Sequence, residues 1–254
     1  MVSQKSDRLG VPIPNWTPPR SPGKTVWAEK MKGRYVRLEP LEPASHCDDL
    51  FASLAEDAKN QIWDYLPYGP FETAADLADW IHATCAGPDP YFFAIIDQAS
   101  NRAVGLASYL RINPDSGSIE VGHINFSPRL QSTIAATEAM YLMMRWAFMA
   151  GYRRYEWKCN ALNVKSRRAA QRLGLSYEGV FRQATISKGR NRDTAWFAAI
   201  DAEWPPLQIA FGNWLHEENF DAAGRQKRSL SEMTSPVLVM RDPMLAPKEY
   251  IFLS

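Results

Sequence analysis

Apolar residues recur along this chain at two spacings, and the switches between them lay out its elements. Alternation around Tyr35, Val36 and Leu38 predicts a first strand over residues 34–38. A helix over 43–58 follows, with Leu50, Phe51 and Leu54 turned inward. The run Trp63-Asp64-Tyr65-Leu66-Pro67-Tyr68-Gly69-Pro70 reads as an aromatic loop, and Thr73 then stands as the N-cap of a helix carrying Leu77, Trp80 and Ile81. A strongly apolar strand is expected over 91–97, bounded ahead by Gly87-Pro88-Asp89-Pro90. Two more strands, 103–111 and 118–126, are joined by the turn Asn113-Pro114-Asp115-Ser116-Gly117, and Pro128 ends the second because it has no ladder donor. Ala136, Ala139, Met140, Met143, Trp146 and Ala147 repeat at helical spacing and predict a long helix over 133–150, terminated by Gly151. Strands over 152–158, 177–183 and 194–202 follow. After Pro205-Pro206, an extra helix over 207–220 bears Ile209, Phe211, Trp214 and Leu215.

Strands before, between and after helices, with hairpins at both ends and one crossover around 118–158, predict an α+β fold. The expected sheet is mixed, mostly antiparallel and of about seven strands. Three parts are expected: an extended arm over 1–33, a central domain over 34–204, and a C-terminal helix and tail over 205–254. Pro12, Pro14, Pro18, Pro19 and Pro22 keep the arm irregular, with Trp16 and Trp27 pinning it to the domain or covering the active site or a partner subunit. The tail carries a short basic cluster at Arg225, Lys227 and Arg228, and its apolar end, Tyr250 to Leu253, is expected to dock.

Composition narrows the function classes. Of 254 residues, 46% belong to the hydrophobic set, enough for a sizeable core. Lys and Arg total 29 against 28 Asp and Glu, a balance that argues against nucleic acid as a partner. Cys47, Cys85 and Cys159 are odd in number and widely spaced, which fits a reducing compartment and neither a disulfide framework nor a metal motif. His46, His82, His123 and His216 are scattered without ligand spacing, so no metal is expected. The polar start MVSQKSDRLG and the absence of a spanning apolar run predict a soluble, cytoplasmic protein without a membrane partner.

The stretch from Tyr155 to Trp204 carries the sharpest signal. Asn163 and Ser166 stand three apart at the start of a basic helix, beside N–H groups that no preceding turn can pair. Leu173-Gly174-Leu175-Ser176-Tyr177-Glu178-Gly179 continues it. This order resembles the C-terminal half of the GNAT acyltransferases, and more narrowly their RimJ/RimL-type branch. Upstream, Ala136-Thr137-Glu138-Ala139 is similar to that family's pyrophosphate-loop helix, which aligns Gln131 with the first motif position and puts Ile134 where the family has glycine.

The resemblance implies acetyl-CoA as co-substrate. Gln131, Ser132, Thr133, Ile134, Ala135 and Ala136 would hold its pyrophosphate at a helix N-terminus. Because a β-branched Ile avoids positive φ, this loop is expected to run with ordinary helical dihedrals. Asn163 and Ser166 would hold the pantetheine arm, and Arg168 is the helix cation assigned to phosphate. Two residues compete as general base, Glu120 by its position in the family and His123 by its near-neutral pKa, with a water-mediated route or no base at all as the remaining options. Strict alternation puts Ser118, Glu120, Gly122, Ile124 and Phe126 on one strand face, with Val121 and His123 on the other. The family's acid Tyr is replaced by Ala170, leaving Ser166 as a stand-in, while backbone N–H groups at Ile124 to Phe126 would meet the oxyanion.

The implied reaction is acetyl transfer from acetyl-CoA to a primary amine by direct attack in a ternary complex. Trp63, Tyr65, Tyr68 and Trp80 suggest an aromatic-walled acceptor pocket, which tilts the reading toward a small molecule over a protein N-terminus. Lys188-Gly189-Arg190-Asn191-Arg192-Asp193-Thr194 reads first as a hairpin turn, with Gly189 and Asn191 in the turn conformations, and second as cations that screen an acidic acceptor. The extra terminal segments allow a homodimer. The rival reading is an altered member of the fold that binds CoA or another ligand without transfer, or uses another acyl donor.

Overall fold

A computed structural model describes residues 10, 12–13, 15–22 and 31–246. Its strands are β1 (Val36–Pro40), β2 (Tyr91–Asp97), β3 (Arg102–Asn113), β4 (Ser118–Phe126), β5 (Arg154–Asn160), β6 (Ser176–Ser187) and β7 (Arg190–Ile200). They form one seven-stranded sheet in the order β1-β2-β3-β4-β5-β7-β6. Every neighbouring pair is antiparallel except β4 and β5. That parallel pair requires a crossover, which the helix α3 (Ile134–Met149) supplies.

Two cores lie on opposite faces of the sheet. On one, α1 (Pro43–Leu54) and α2 (Ala74–Thr84) set Leu50, Leu54, Leu77 and Ile81 against Phe92, Ala94, Ile96 and Leu106. Thr73 caps α2, as the sequence predicts, and Asp76 completes a capping box with it. On the other face, α3, α4 (Val164–Arg172) and α5 (Trp204–Leu215) cover Tyr155, Trp157, Ala195 and Phe197. Strand β2 alternates between them, with Phe93 and Ile95 in one core and Phe92 and Ala94 in the other.

Helix α3 is buried nearly all round because α5 adds a further layer, stacking Trp204 on Phe148 and Phe211 on Tyr141. Within α3, the buried Glu138 carboxylate accepts from the N–H groups of Arg34, Tyr35 and Val36, fastening the entry to β1. The tail returns to α4. Arg167 donates two 2.6 Å bonds to Asp242, and both side chains are almost wholly buried. The same arginine donates to the Ala161 carbonyl and shapes the loop entering α4. A short helix, α6 (Leu230–Thr234), buries Leu230 beneath this layer.

Several expected bounds move. Helix α1 stops at Leu54, and α5 begins at Trp204 because Pro205 and Pro206 fit the first turn, where a missing N–H costs nothing. In the β6–β7 hairpin the left-handed residues are Lys188 and Gly189, at φ 48° and 70°, while Asn191 lies inside β7. A two-residue turn with both φ positive matches the twist of its strands. Trp16 packs over Gly117 beneath Arg153 and holds part of the arm. Trp27 and the end Tyr250 to Leu253 lie outside the described residues. All three cysteines are free and buried. No helix among the described residues is long and apolar enough to cross a membrane. Nor do the described residues bring three or more His, Cys, Asp or Glu together as a metal site.

Candidate active site

The sheet opens at its middle. Strands β4 and β5 pair only from Ser118 to Val121 against Arg154 to Trp157, although β4 runs on to Phe126 and β5 to Asn160. The cause is local. Leu106 faces Asn125 and Ser108 faces Gly122, so Ala107 of β3 stands against two residues of β4, and His123 takes φ 50°. This is a bulge, which bends a strand and ends its regular pairing.

The bulge overturns the expected strand faces. Ile119 and Val121 pack in the α3 core, and beyond the bulge Ile124 and Phe126 pack against that same core. His123 instead lies against Tyr68 and Phe92 on the α1–α2 side. Strict alternation fails because the extra residue shifts the phase by one.

Glu120 is buried and carries two ion pairs, 2.7 Å to Arg111 and 2.8 Å to Lys158. Lys158 also meets Glu156 at 2.7 Å and lies 3.8 Å from the Trp196 ring centre. Burial raises the Glu120 pKa, and the two cations oppose that shift without reversing it. Arg111 reaches this position from a second irregularity, where its φ is 47° and Asp89 accepts the N–H groups of Arg111 and Ile112.

His123 sits 3.3 Å from the Tyr68 hydroxyl through Nδ1. Burial pushes its pKa down to about 4, and the charges of Arg111 and Arg192 add to the depression. The imidazole is therefore neutral at physiological pH. Tyr68 stacks on His123 and lies 4.1 Å from the Trp80 ring, so those two rings back the histidine. Trp63 has a different role. It is 5% exposed, buried in the α1–α2 core and covered by Gly69, so it supports the loop from behind. Tyr65 is exposed and donates from its hydroxyl to the Leu162 carbonyl, while Lys188 donates to the carbonyls of Trp63 and Gly69. The aromatic loop is thus tied to both the β5–α4 loop and the β6–β7 hairpin.

At the start of α3, Thr133 caps the helix by accepting from the Ala136 N–H, and Gln131 donates to the Phe126 carbonyl. Ile134 is the first helical residue, and the positive φ falls on Ser132, at 61°. The loop does not run with helical dihedrals throughout: the turn that Ile134 cannot make is made two residues earlier. The N–H groups of Ile134 and Ala135 open the helix ahead of its first internal bond. At α4, Asn163 accepts from the Ser166 N–H, and the Ser166 hydroxyl accepts from the Trp157 indole. Of the three arginines on α4, Arg167 is consumed by Asp242 and Arg172 lies against Trp214 and Thr137, leaving Arg168 exposed.

Residues 36–176 match the model of the GNAT acetyltransferase domain, over more than half the chain. The protein belongs to the GNAT acetyltransferase family. A GCN5-related N-acetyltransferase from Brucella melitensis is similar at 45% identity, over 88% of this chain and 100% of its own, with a TM-score of 0.83. A probable GNAT-family acetyltransferase from Chromobacterium violaceum is 38% identical over 76% of this chain and 94% of its own, with a TM-score of 0.70. The microcin C7 self-immunity acetyltransferase MccE, known in complex with acetyl-CoA and AMP, shares the fold at 18% identity, covering 66% of this chain and 93% of its own with a TM-score of 0.58. No curated protein matches the sequence.

The GNAT framework uses acetyl-CoA, and the residues of this chain suit it. Two helix N-termini, of α3 and α4, flank the opening between β4 and β5, and the exposed Arg168 carries no ion pair among the described residues. Arg111, Lys158 and Trp196 join the site although sequence reasoning missed them, and Arg192, read first as part of a hairpin turn, joins them. The alternation Tyr155-Glu156-Trp157-Lys158 was the available signal, because a strand with charges on one face leaves that face accessible or paired.

Proposed function

We propose that the cleft between β4 and β5 moves an acetyl group from acetyl-CoA to a primary amine by direct attack in a ternary complex. One observation carries this reading: the sheet stops pairing after Val121 and Trp157, and the opened β4 edge lies between the N-termini of α3 and α4. Acetyl-CoA supplies the activated acetyl group. Gln131, Ser132, Thr133, Ile134, Ala135 and Ala136 hold its pyrophosphate through N–H groups and hydroxyls, with Arg168 adding charge. Asn163 and Ser166 orient the pantetheine arm. Backbone N–H groups at Ile124 to Phe126 face the charge that develops on the acetyl oxygen.

The amine must shed a proton as its nitrogen bonds to the acetyl carbon and the carbon–sulfur bond breaks. His123 stands past the end of the paired sheet and is neutral, but its pKa near 4 overturns the near-neutral value expected of it and makes it a weak base, so it orients a water that carries the proton away. Glu120 would first have to yield its ion pairs, and it serves better to hold Arg111 and Lys158 in place. The proton that completes the thiol comes from Ser166 or solvent, since a thiol of pKa about 8.5 leaves readily. Tyr68 and Trp80 back the acceptor pocket and Tyr65 borders it. These rings favour a compact amine over a peptide. The RimJ/RimL-type placement rests on the motifs at Asn163 to Gly179.

A specific observation also supports the rival reading. Glu120 is ion-paired and Ala170 is fully buried where the family has its acid Tyr, and both features fit a CoA binder without transfer. Thiol release from acetyl-CoA, measured with and without a panel of primary amines, separates the two. Transfer predicts CoA release that requires an amine, together with mass-shifted acetylated product. Saturable acetyl-CoA binding with no amine-dependent release would establish the rival.

A further inference from the structure

The walls of this cleft carry more positive charge than they neutralise. Arg111 and Lys158 are matched by Glu120 and Glu156. Two cations of the β6–β7 hairpin have no such match among the described residues. Lys188 donates only to the carbonyls of Trp63 and Gly69, which leaves its charge uncompensated. Arg192 forms no ion pair among the described residues, and its Nε is buried without an acceptor. Its neighbour Asp193 is taken by the Gln183 N–H and the Asn191 amide.

Position makes Arg192 informative. The last pair between β5 and β7 is Asn160 with Thr194, so Arg192 lies just beyond the end of β5. Ala195, Phe197 and Ala199 enter the α3 core, which puts Arg192, Thr194 and Trp196 on the opposite face. That face also carries Lys158, Glu120 and His123, and Arg192 is near enough to His123 to depress its ionisation. The Trp196 indole N–H is likewise buried with no acceptor. Two buried donors without acceptors, one of them cationic, call for oxygen atoms from a ligand.

We propose that the amine accepted here also bears an anionic oxygen group, on a small amino-acid-like molecule, and that Arg192 selects for it with Lys188 adding a second positive charge. The planar guanidinium suits a carboxylate, and its buried Nε gives the contact direction. This inference rests on the acetyl-transfer reading of the same cleft.

The test compares common amino acids with their carboxamides, and phosphoethanolamine with ethanolamine, as acceptors for the full-length protein. The expected result is a KM about 10- to 100-fold lower for the anionic member of a pair, the scale of a hydrogen bond to a charged group. The two pairs separate carboxylate from phosphate as its source. Arg192→Gln should erase that preference while leaving the acetyl-CoA Kd and the melting temperature in place. If acetyl-CoA binds but no amine is turned over, thermal shift with N-acetyl amino acids and their amides makes the same comparison between charged and neutral partners. Equal response to charged and neutral partners, or an Arg192→Gln defect confined to acetyl-CoA binding, would overturn the proposal. Failure to bind acetyl-CoA at all would remove the reading beneath it, a different outcome visible before any amine is added.

Discussion

The two halves of the sheet solve the burial problem differently. In the β1–β4 half, β2 is buried on both faces because α1 and α2 cover one side and α3 the other. In the β5–β7–β6 half, β5 alternates buried and half-buried residues, with Tyr155, Trp157 and Cys159 in the core and Arg154, Glu156 and Lys158 opposite. A strand covered on one side needs apolar residues only at every second position, and the uncovered positions become available for charge. The closed half supplies rigidity. The half-open one leaves one face for charge, and the cleft forms at the seam, where β4 brings Glu120 and His123 and the other half brings Lys158, Asn163 and Ser166.

The comparison can be broken first at the cover of the half-open side. Asp242→Ala leaves the buried Arg167 guanidinium without its carboxylate, and such a change costs about 3–5 kcal/mol. Urea unfolding measures it, and a loss below about 1 kcal/mol would show that the tail does not hold α4. Replacing both partners with apolar residues should restore most of the stability.

A smaller effect belongs to the seam. His123 has its pKa lowered from 6.5 to about 4, so between those values the unfolded chain binds a proton that the folded one refuses. Stability contributed by the neutral ring is therefore complete above pH 6.5 and lost as pH falls toward 4. The ceiling is about 3 kcal/mol, reduced by the partial exposure of the ring. His123→Gln should flatten the acid limb of a stability profile. An unchanged limb would mean that the histidine titrates normally and is not enclosed by Tyr68 and Phe92.

The sequence was most legible where one element decides its own form. Thr73 with Asp76, Gly151 at φ 98° and the uninterrupted apolar run of β2 all announce themselves locally. The bulge at His123 did not, because it depends on the register of β3 against β4. Gly122 beside it was a weak hint, since glycine inside a strand often marks a bulge. The pairing of Arg167 with Asp242 joins positions that no local pattern connects, so the partners of Arg167 and Arg172 were not legible even though Arg168 was already singled out. Of the candidate site, Asn163 and Ser166 on the first turn of a helix were readable from spacing, whereas the α3 junction came only with the family resemblance. The companions of Glu120 and the orphaned Arg192 emerged only from the packing of β3, β5 and β7.

Isothermal titration of acetyl-CoA and of CoA into the purified protein, repeated on Asn163→Ala and Asn163→Ser, tests the central claim most directly. Serine keeps a helix cap while alanine removes it, so the pair separates ligand contact from the stability of α4. The account predicts binding on the order of micromolar for both ligands, weakened in both variants. No heat and no thermal stabilisation from either ligand would contradict it, and would leave the opening between β4 and β5 without its co-substrate.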